Sequence, residues 1–274
     1  MSDLSNSIDE RLRSFERSLR RFSGSLGLRI NIELSKKIEE VQLKIIDDVS
    51  KLIDEAWSQG LTLQDLLAKL SDNGTLRREV LLASSTLGER IGSDSVDELF
   101  ADALSGDTSR SGARSALVAF QAIARAYAEK YYKENGSITH VSPYCPVCGA
   151  ESSTMVKRGN RYVMICPVCG YEWIVSEGSP RCPFCGNDNR FKLGTFMDKE
   201  WKYGLMYCQE CGSSWRVIWD EDMASAPNIL LPLIAMAADR FRGALPRGEG
   251  INNGNKAGGE GGLSEGQEET KGQE

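Results

Sequence analysis

At 274 residues, 41% of them hydrophobic and with a formal net charge of −6, the chain is long enough for two domains and too acidic overall for a general polyanion binder. It has no apolar run of about 18 residues, and Met1-Ser-Asp-Leu-Ser-Asn lacks the basic-then-apolar pattern of a secretion signal. A cytoplasmic protein without membrane insertion is the resulting expectation. Residues 1–136 read as an all-helical domain. Ile8, Leu12, Phe15, Leu19 and Phe22 recur at helical spacing, with Ser7 and Glu10 as a capping box and Gly24 and Gly27 as breakers. Arg11, Arg13, Arg17, Arg20 and Arg21 make this helix basic, either as a solvated face or as a dock for an acidic partner. From Asn31 a long amphipathic pattern through Leu34, Ile38, Val41, Ile45, Val49, Leu52 and Ala56 stops near Gly60. Thr62 caps a short helix with Leu63, Leu66, Leu67 and Leu70, and Asp72-Asn73-Gly74 is a turn. Further helices start at Thr75 and at the Ser95-x-x-Glu98 box, and a last one runs from Ala113 to Tyr132. Their apolar stripes read as core.

All eight cysteines follow, between Cys145 and Cys211, and every one sits in a C-x-x-C pair: Cys145/Cys148, Cys166/Cys169, Cys182/Cys185 and Cys208/Cys211. Two residues between thiols let one tight turn aim two sulfurs at one ion. Three pairs read Cys-Pro-x-Cys-Gly, and Cys208-Gln-Glu-Cys211-Gly212 keeps the glycine. Proline presets a turn dihedral, and glycine permits the positive φ that turns backbone N–H groups toward sulfur. Between the first two pairs, Thr154-Met-Val-Lys and Tyr162-Val-Met-Ile are strand-like runs around the turn Arg158-Gly159-Asn160. Between the last two, Phe191–Phe196 and Trp201–Tyr207 flank Asp198-Lys199-Glu200. Each hairpin returns the chain to its start, so the pairs are expected to join sequentially, first with second and third with fourth. The alternative is a cross-braced arrangement, first with third and second with fourth. Cys169-Gly-Tyr-Glu-Trp173-Ile-Val and Cys211-Gly-Ser-Ser-Trp215-Arg-Val match in offset, which reads as a tandem duplication over 137–176 and 177–222.

A ribbon of about forty residues is too small for a self-sufficient core, and a bound ion supplies the missing folding free energy, on the order of 10 kcal/mol. Four thiolates close a tetrahedral ion and leave no open position, so the sites read as structural or electron-carrying rather than hydrolytic. Zn²⁺ and iron both accept such ligation. Disulfides are the competing reading, disfavoured by the missing secretion signal. His140, the lone histidine, precedes Cys145 by five residues and is not needed as a ligand. No Ser/His/Asp set, P-loop or dinucleotide-binding glycine motif occurs, so no enzymatic activity is expected. Over 143–220 the nine Lys/Arg and eight Asp/Glu nearly balance. Thiolates and two divalent ions would make this region net negative, which argues against a nucleic-acid-binding zinc ribbon; Tyr171, Trp201 and Tyr203, read as exposed aromatics, are suited either to stack on bases or to fill a ribbon-to-ribbon interface. Residues 223–246 read as an apolar C-terminal helix in which Pro232 is tolerated only near the first turn. The Gly/Glu-rich stretch 247–274 reads as a disordered tail.

A helical N-terminal part, tandem Cys-Pro-x-Cys-Gly ribbons with a Trp after the second knuckle, and an Ala/Leu-rich helix after the fourth together resemble the formate dehydrogenase accessory protein family, FdhE. The matching stretches are Cys145-Pro-Val-Cys-Gly, Cys166-Pro-Val-Cys-Gly-Tyr-Glu-Trp, Arg181-Cys-Pro-Phe-Cys-Gly-Asn and Cys208-Gln-Glu-Cys-Gly. The likeness is specific over 143–242 and architectural over the helical part. It implies an α+β chain with two rubredoxin-like modules. It also implies a cytoplasmic, non-enzymatic maturation factor that engages the formate dehydrogenase catalytic subunit. On that likeness Cys145, Cys148, Cys166, Cys169, Cys182, Cys185, Cys208 and Cys211 would hold two metal ions, iron in that family. A rubredoxin-like electron carrier is the alternative from another class.

Overall fold

The computed structural model describes residues 2–91, 96–105, 107 and 109–245, so the expected Ser95 cap and the 247–274 tail lie outside the described residues. The helical part comprises α1 (Ser2–Leu26), α2 (Ile32–Ser58), α3 (Leu63–Asp72), α4 (Thr75–Leu87), α5 (Val96–Ser105) and α6 (Ala113–Asn135). Asn31 caps α2 through Leu34 N–H, and Thr62 with Asp65 forms a reciprocal capping box on α3. Gly112 offers no side chain to cap α6. The Glu89 carboxylate substitutes, accepting from Ser115 N–H (3.1 Å) and Ser115 Oγ (2.6 Å). The start of α1 differs from expectation. The helix begins at Ser2, so Ser7 is an interior residue and not a cap. Gly24 is carried inside it, and the stop falls at Gly27, φ 66°. Packing of Phe15, Leu19 and Phe22 outweighs the roughly 1 kcal/mol that one interior glycine costs.

Of the α1 arginines, Arg13, Arg17, Arg20 and Arg21 are exposed and Arg11 is half-buried, yet several are engaged by acidic side chains of this chain. Arg11 pairs with Glu129 of α6, Arg20 with Glu16 (2.8 Å) and Glu33 (3.4 Å), and Arg21 with Asp222 (2.9 Å). Three of the five therefore make ion pairs within this chain. Between α2 and α6, Arg125 Nη1 bridges both Glu39 carboxylate oxygens (2.9 and 2.8 Å), with Glu39 only 2% exposed.

The ribbons build one six-stranded sheet from β1 (Thr154–Arg158), β2 (Arg161–Ile165), β3 (Glu172–Glu177), β4 (Leu193–Met197), β5 (Tyr203–Cys208) and β6 (Ser214–Ile218), in the order β3-β2-β1-β6-β5-β4. Each module is an antiparallel three-stranded meander. The two fuse where β1 and β6 run parallel, Thr154 opposite Arg216 and Val156 opposite Ile218. Arg216 pins this seam. Its N–H donates to Ser153 O (2.8 Å), Nη1 to Ser153 Oγ (2.9 Å), and Nε and Nη2 to the Asp239 carboxylate (2.8 Å each).

Alternation along the strands sorts the side chains onto two faces. Met155, Met164, Trp173, Met206, Trp215 and Val217 point to the cysteine side and join a core continuous with α2–α6. Val156, Val163, Ile165, Tyr203, Leu205 and Ile218 point the other way, under the C-terminal segment and α1. The C-terminal helix exists in pieces: α7 (Glu221–Ala224), a 3₁₀ turn (Asn228–Leu230), α8 (Leu231–Ala235) and a 3₁₀ stretch (Met236–Ala244). Pro227 precedes the 3₁₀ turn and Pro232 occupies the first turn of α8, so no single helix continues through both.

Candidate metal centres

Four local turns make the site, and they are copies of one another. In each knuckle the glycine N–H returns to the carbonyl of the first cysteine: Gly149 to Cys145 (2.9 Å), Gly170 to Cys166 (3.1 Å), Gly186 to Cys182 (3.0 Å) and Gly212 to Cys208 (2.9 Å). Each first-cysteine N–H reaches a carbonyl five residues on, at Ala150, Tyr171, Asn187 and Ser213. Closing that ring needs the left-handed glycine φ of 75, 71, 77 and 72°. Backbone N–H groups then face the sulfurs, Val147 toward Cys145 Sγ and both Val168 and Cys169 toward Cys166 Sγ, each at 3.4 Å.

The hairpins bring the knuckles together in the sequential arrangement. Cys145, Cys148, Cys166 and Cys169 form one group and Cys182, Cys185, Cys208 and Cys211 the other, all sulfurs of a group lying within 4.8 Å of one another. The eight thiols are free, with sulfur separations of 3.6 Å (Cys145–Cys169), 3.4 Å (Cys148–Cys166), 3.6 Å (Cys182–Cys211) and 3.7 Å (Cys185–Cys208). A tetrahedron with metal–sulfur bonds of about 2.3 Å has edges of about 3.8 Å. The groups are thus close to the shape that an all-thiolate ion requires, and each could hold one. His140 belongs to neither group; its N–H bonds Ile174 O (2.8 Å), extending the sheet beside β3.

Electrostatics favour the same occupant. Hydrogen bonds from the Cys148, Cys166 and Cys169 thiols hold Cys145 far below the ordinary thiol range, while sharing a proton with Cys145 drives Cys166 and Cys169 well above it. In the second group burial pushes Cys182 and Cys185 up. Burial also acts on Cys208, but Asn187 Nδ2 at 3.4 Å and the N–H groups of Cys211 and Glu210 outweigh it and bring that thiol to about 7. A divalent ion would neutralise the remaining thiolates and hold all four deprotonated.

Around the knuckles, Trp173 and Trp215 are fully buried beneath their respective centres. Tyr171 and Tyr203, read from the sequence as exposed aromatics for base stacking or for a ribbon-to-ribbon interface, are buried instead, Tyr171 under α6 and Tyr203 against Phe241. Of the three aromatics considered for base stacking only Trp201 stays outside, at 70% exposure and φ 62°. Its turn is longer than the expected Asp198–Glu200, because the Asp198 carboxylate accepts from Lys202 N–H (2.6 Å) and Tyr203 N–H (3.1 Å). Sequence reasoning missed Asn187 as a sulfur-facing donor; its place directly after a knuckle glycine was the available signal.

Fold and site together define a class: an α+β protein in which a helical part packs on two fused four-cysteine ribbons. No protein-family model matches the sequence, and a comparison with curated proteins finds no match. Among solved structures, the FdhE protein from Pseudomonas aeruginosa is similar, with a TM-score of 0.52 at 15% identity, covering 86% of this chain and 92% of that one. The chain has the fold of that FdhE protein, as the cysteine motifs and their order implied. Among the described residues no helix is long and apolar enough to cross a membrane.

Proposed function

We propose that this chain is a non-enzymatic accessory factor that binds the catalytic subunit of formate dehydrogenase, or of a related molybdopterin oxidoreductase, and aids assembly of the active enzyme in the cytoplasm. The observation that carries this reading is the shared fold with an FdhE protein over 86% of the chain. In this reading the eight cysteines ligate two ions, iron or zinc, each enclosed by four sulfurs. The ions supply folding free energy and leave no coordination position for a substrate. The helical part and the ribbons share one core, so the client would meet a single continuous body rather than a loose pair of domains. Affinity capture with the full chain from its own cells tests the proposal, with the formate dehydrogenase catalytic subunit expected among the bound proteins. Deleting the gene is the stronger test, and unchanged formate dehydrogenase activity in the deletion strain would refute the assembly role.

A second reading, a rubredoxin-like electron carrier, is favoured by one observation, the exposure of Cys185 and Cys211. A colourless protein carrying two zinc ions after anaerobic purification would exclude it.

A further inference from the structure

The two centres are copies in sequence but not in surroundings. In the first, Cys145, Cys166 and Cys169 are buried and Cys148 is half-buried; in the second, Cys185 and Cys211 are exposed. The cause lies one and two residues beyond the closing knuckle. The first module has Gly170-Tyr171-Glu172 where the second has Gly212-Ser213-Ser214. Tyr171 reaches into the helical part: its hydroxyl donates to Gly136 O (2.8 Å) and accepts from Ile138 N–H (3.3 Å), and Tyr131 meets its ring edge-on at 5.4 Å. Glu172 accepts from Arg158 Nε (2.9 Å), and Arg158 in turn holds Ala224 O and Asn228 Oδ1. Asn228 Nδ2 then donates to Gly170 O (3.1 Å), tying the C-terminal segment to the second knuckle. Serines at 213 and 214 reach neither partner.

The tryptophans repeat the contrast. Trp173 Nε1 donates to Ser142 O (3.0 Å) of the entering linker, whereas buried Trp215 Nε1 finds no hydrogen-bond partner among the described residues. The first module is thus fastened from three sides: by α6, by the linker and by the C-terminal segment. The second keeps two of its four cysteines, Cys185 and Cys211, exposed and leaves the buried Trp215 Nε1 without a partner among the described residues.

We propose that the second centre is the exchangeable one: an ion held by Cys182, Cys185, Cys208 and Cys211 would pass to soft, thiol-bearing or chelating ligands that approach at the exposed residues Cys185 and Cys211, while an ion in the first centre would be held in place. The incoming donor displaces one cysteine sulfur at a time and the ion keeps its oxidation state, so no electron source is involved. The inference rests on the reading that both groups hold an ion. It goes beyond an accessory role in assigning one centre to stability and the other to metal exchange.

The test uses the full chain loaded with two zinc ions and challenged with excess 4-(2-pyridylazo)resorcinol, with released zinc read against time. One equivalent should leave about tenfold faster than the other or more, the factor expected when opening one site breaks two additional hydrogen bonds. Cys185→Ser should abolish the fast equivalent and keep the slow one. Because that variant can lose its fold, alkylation of the unmodified zinc-loaded protein by N-ethylmaleimide, mapped by peptide mass spectrometry, provides a second measurement. Cys185 and Cys211 should be labelled first, and Cys145, Cys166 and Cys169 last. Release of both ions in a single phase, or early labelling in the first set, overturns the inference and leaves the metal reading standing. A chain that takes up no zinc and no iron overturns both.

Discussion

Replacing Tyr171 with phenylalanine isolates the join between the helical part and the first ribbon. The ring and its edge-on contacts with Tyr131 (5.4 Å) and Tyr132 (6.4 Å) stay; only the hydroxyl leaves. That hydroxyl serves Gly136 O and Ile138 N–H in a residue 3% exposed, so two backbone groups lose their partner where water has little access. At a net 0.5–1.5 kcal/mol each, the loss should be about 1–3 kcal/mol. Tyr171→Ala removes the ring as well. Some 150–250 Å² of aromatic surface at about 25 cal/mol per Å² adds about 4–6 kcal/mol to that loss. Urea unfolding of metal-loaded protein, followed by the fluorescence of buried Trp173 and Trp215, reads both variants from their midpoints. A Tyr171→Phe variant within about 0.5 kcal/mol of the parent would refute the claim that this hydroxyl fastens the two parts. The same environment makes a pH signature. Burial pushes the Tyr171 hydroxyl up to about 12, so the folded state keeps a proton that the unfolded chain releases nearer 10. The associated stability is complete below about pH 10 and is lost as pH rises toward 12; Tyr171→Phe should remove that fall.

Other substitutions probe the remaining joints. Arg125→Met leaves Glu39 buried without its cation and should cost about 3–5 kcal/mol in thermal or chemical unfolding, whereas Glu39→Leu combined with Arg125→Met should recover most of it. Asp239, partly buried and otherwise raised by desolvation, is held below the usual carboxylate range by Arg216 and Arg242, so its stabilising share is present above about pH 4 and lost as pH falls further; Asp239→Asn should flatten that acid limb. Gly204→Ala would drive a Cβ into Phe196 O of the paired edge strand β4, which must shift to admit it; a loss of about 1–3 kcal/mol is expected, and an unchanged melting temperature would contradict the β4–β5 approach. Cys166→Ser should lower bound metal by one equivalent in elemental analysis, and retention of two equivalents would contradict the ligand assignment.

What could be read directly from residues was local. Each C-x-x-C-Gly knuckle encodes its own turn, since the glycine admits the left-handed dihedral and, in three of the four, proline sets another, so four knuckles and two hairpins were legible in the sequence. The tryptophan repeat, the Asn31 and Thr62 caps and the sequential grouping of sulfurs follow from spacings of a few residues or one hairpin. Contacts between distant segments were not legible. The parallel pairing of β1 with β6 joins residues some sixty positions apart, and nothing in either strand alone distinguishes a fused sheet from two separate ribbons. The burial of Tyr171 and Tyr203 and the internal use of Arg11 and Arg21 depend on which surfaces α6 and the C-terminal segment cover. The duplicated motif pointed to two equivalent four-cysteine groups; that Tyr171 and Glu172, where the second module has Ser213 and Ser214, fasten the first group to the helical part and the C-terminal segment while Cys185 and Cys211 of the second stay exposed was decided by contacts between distant segments, which only the tertiary structure shows.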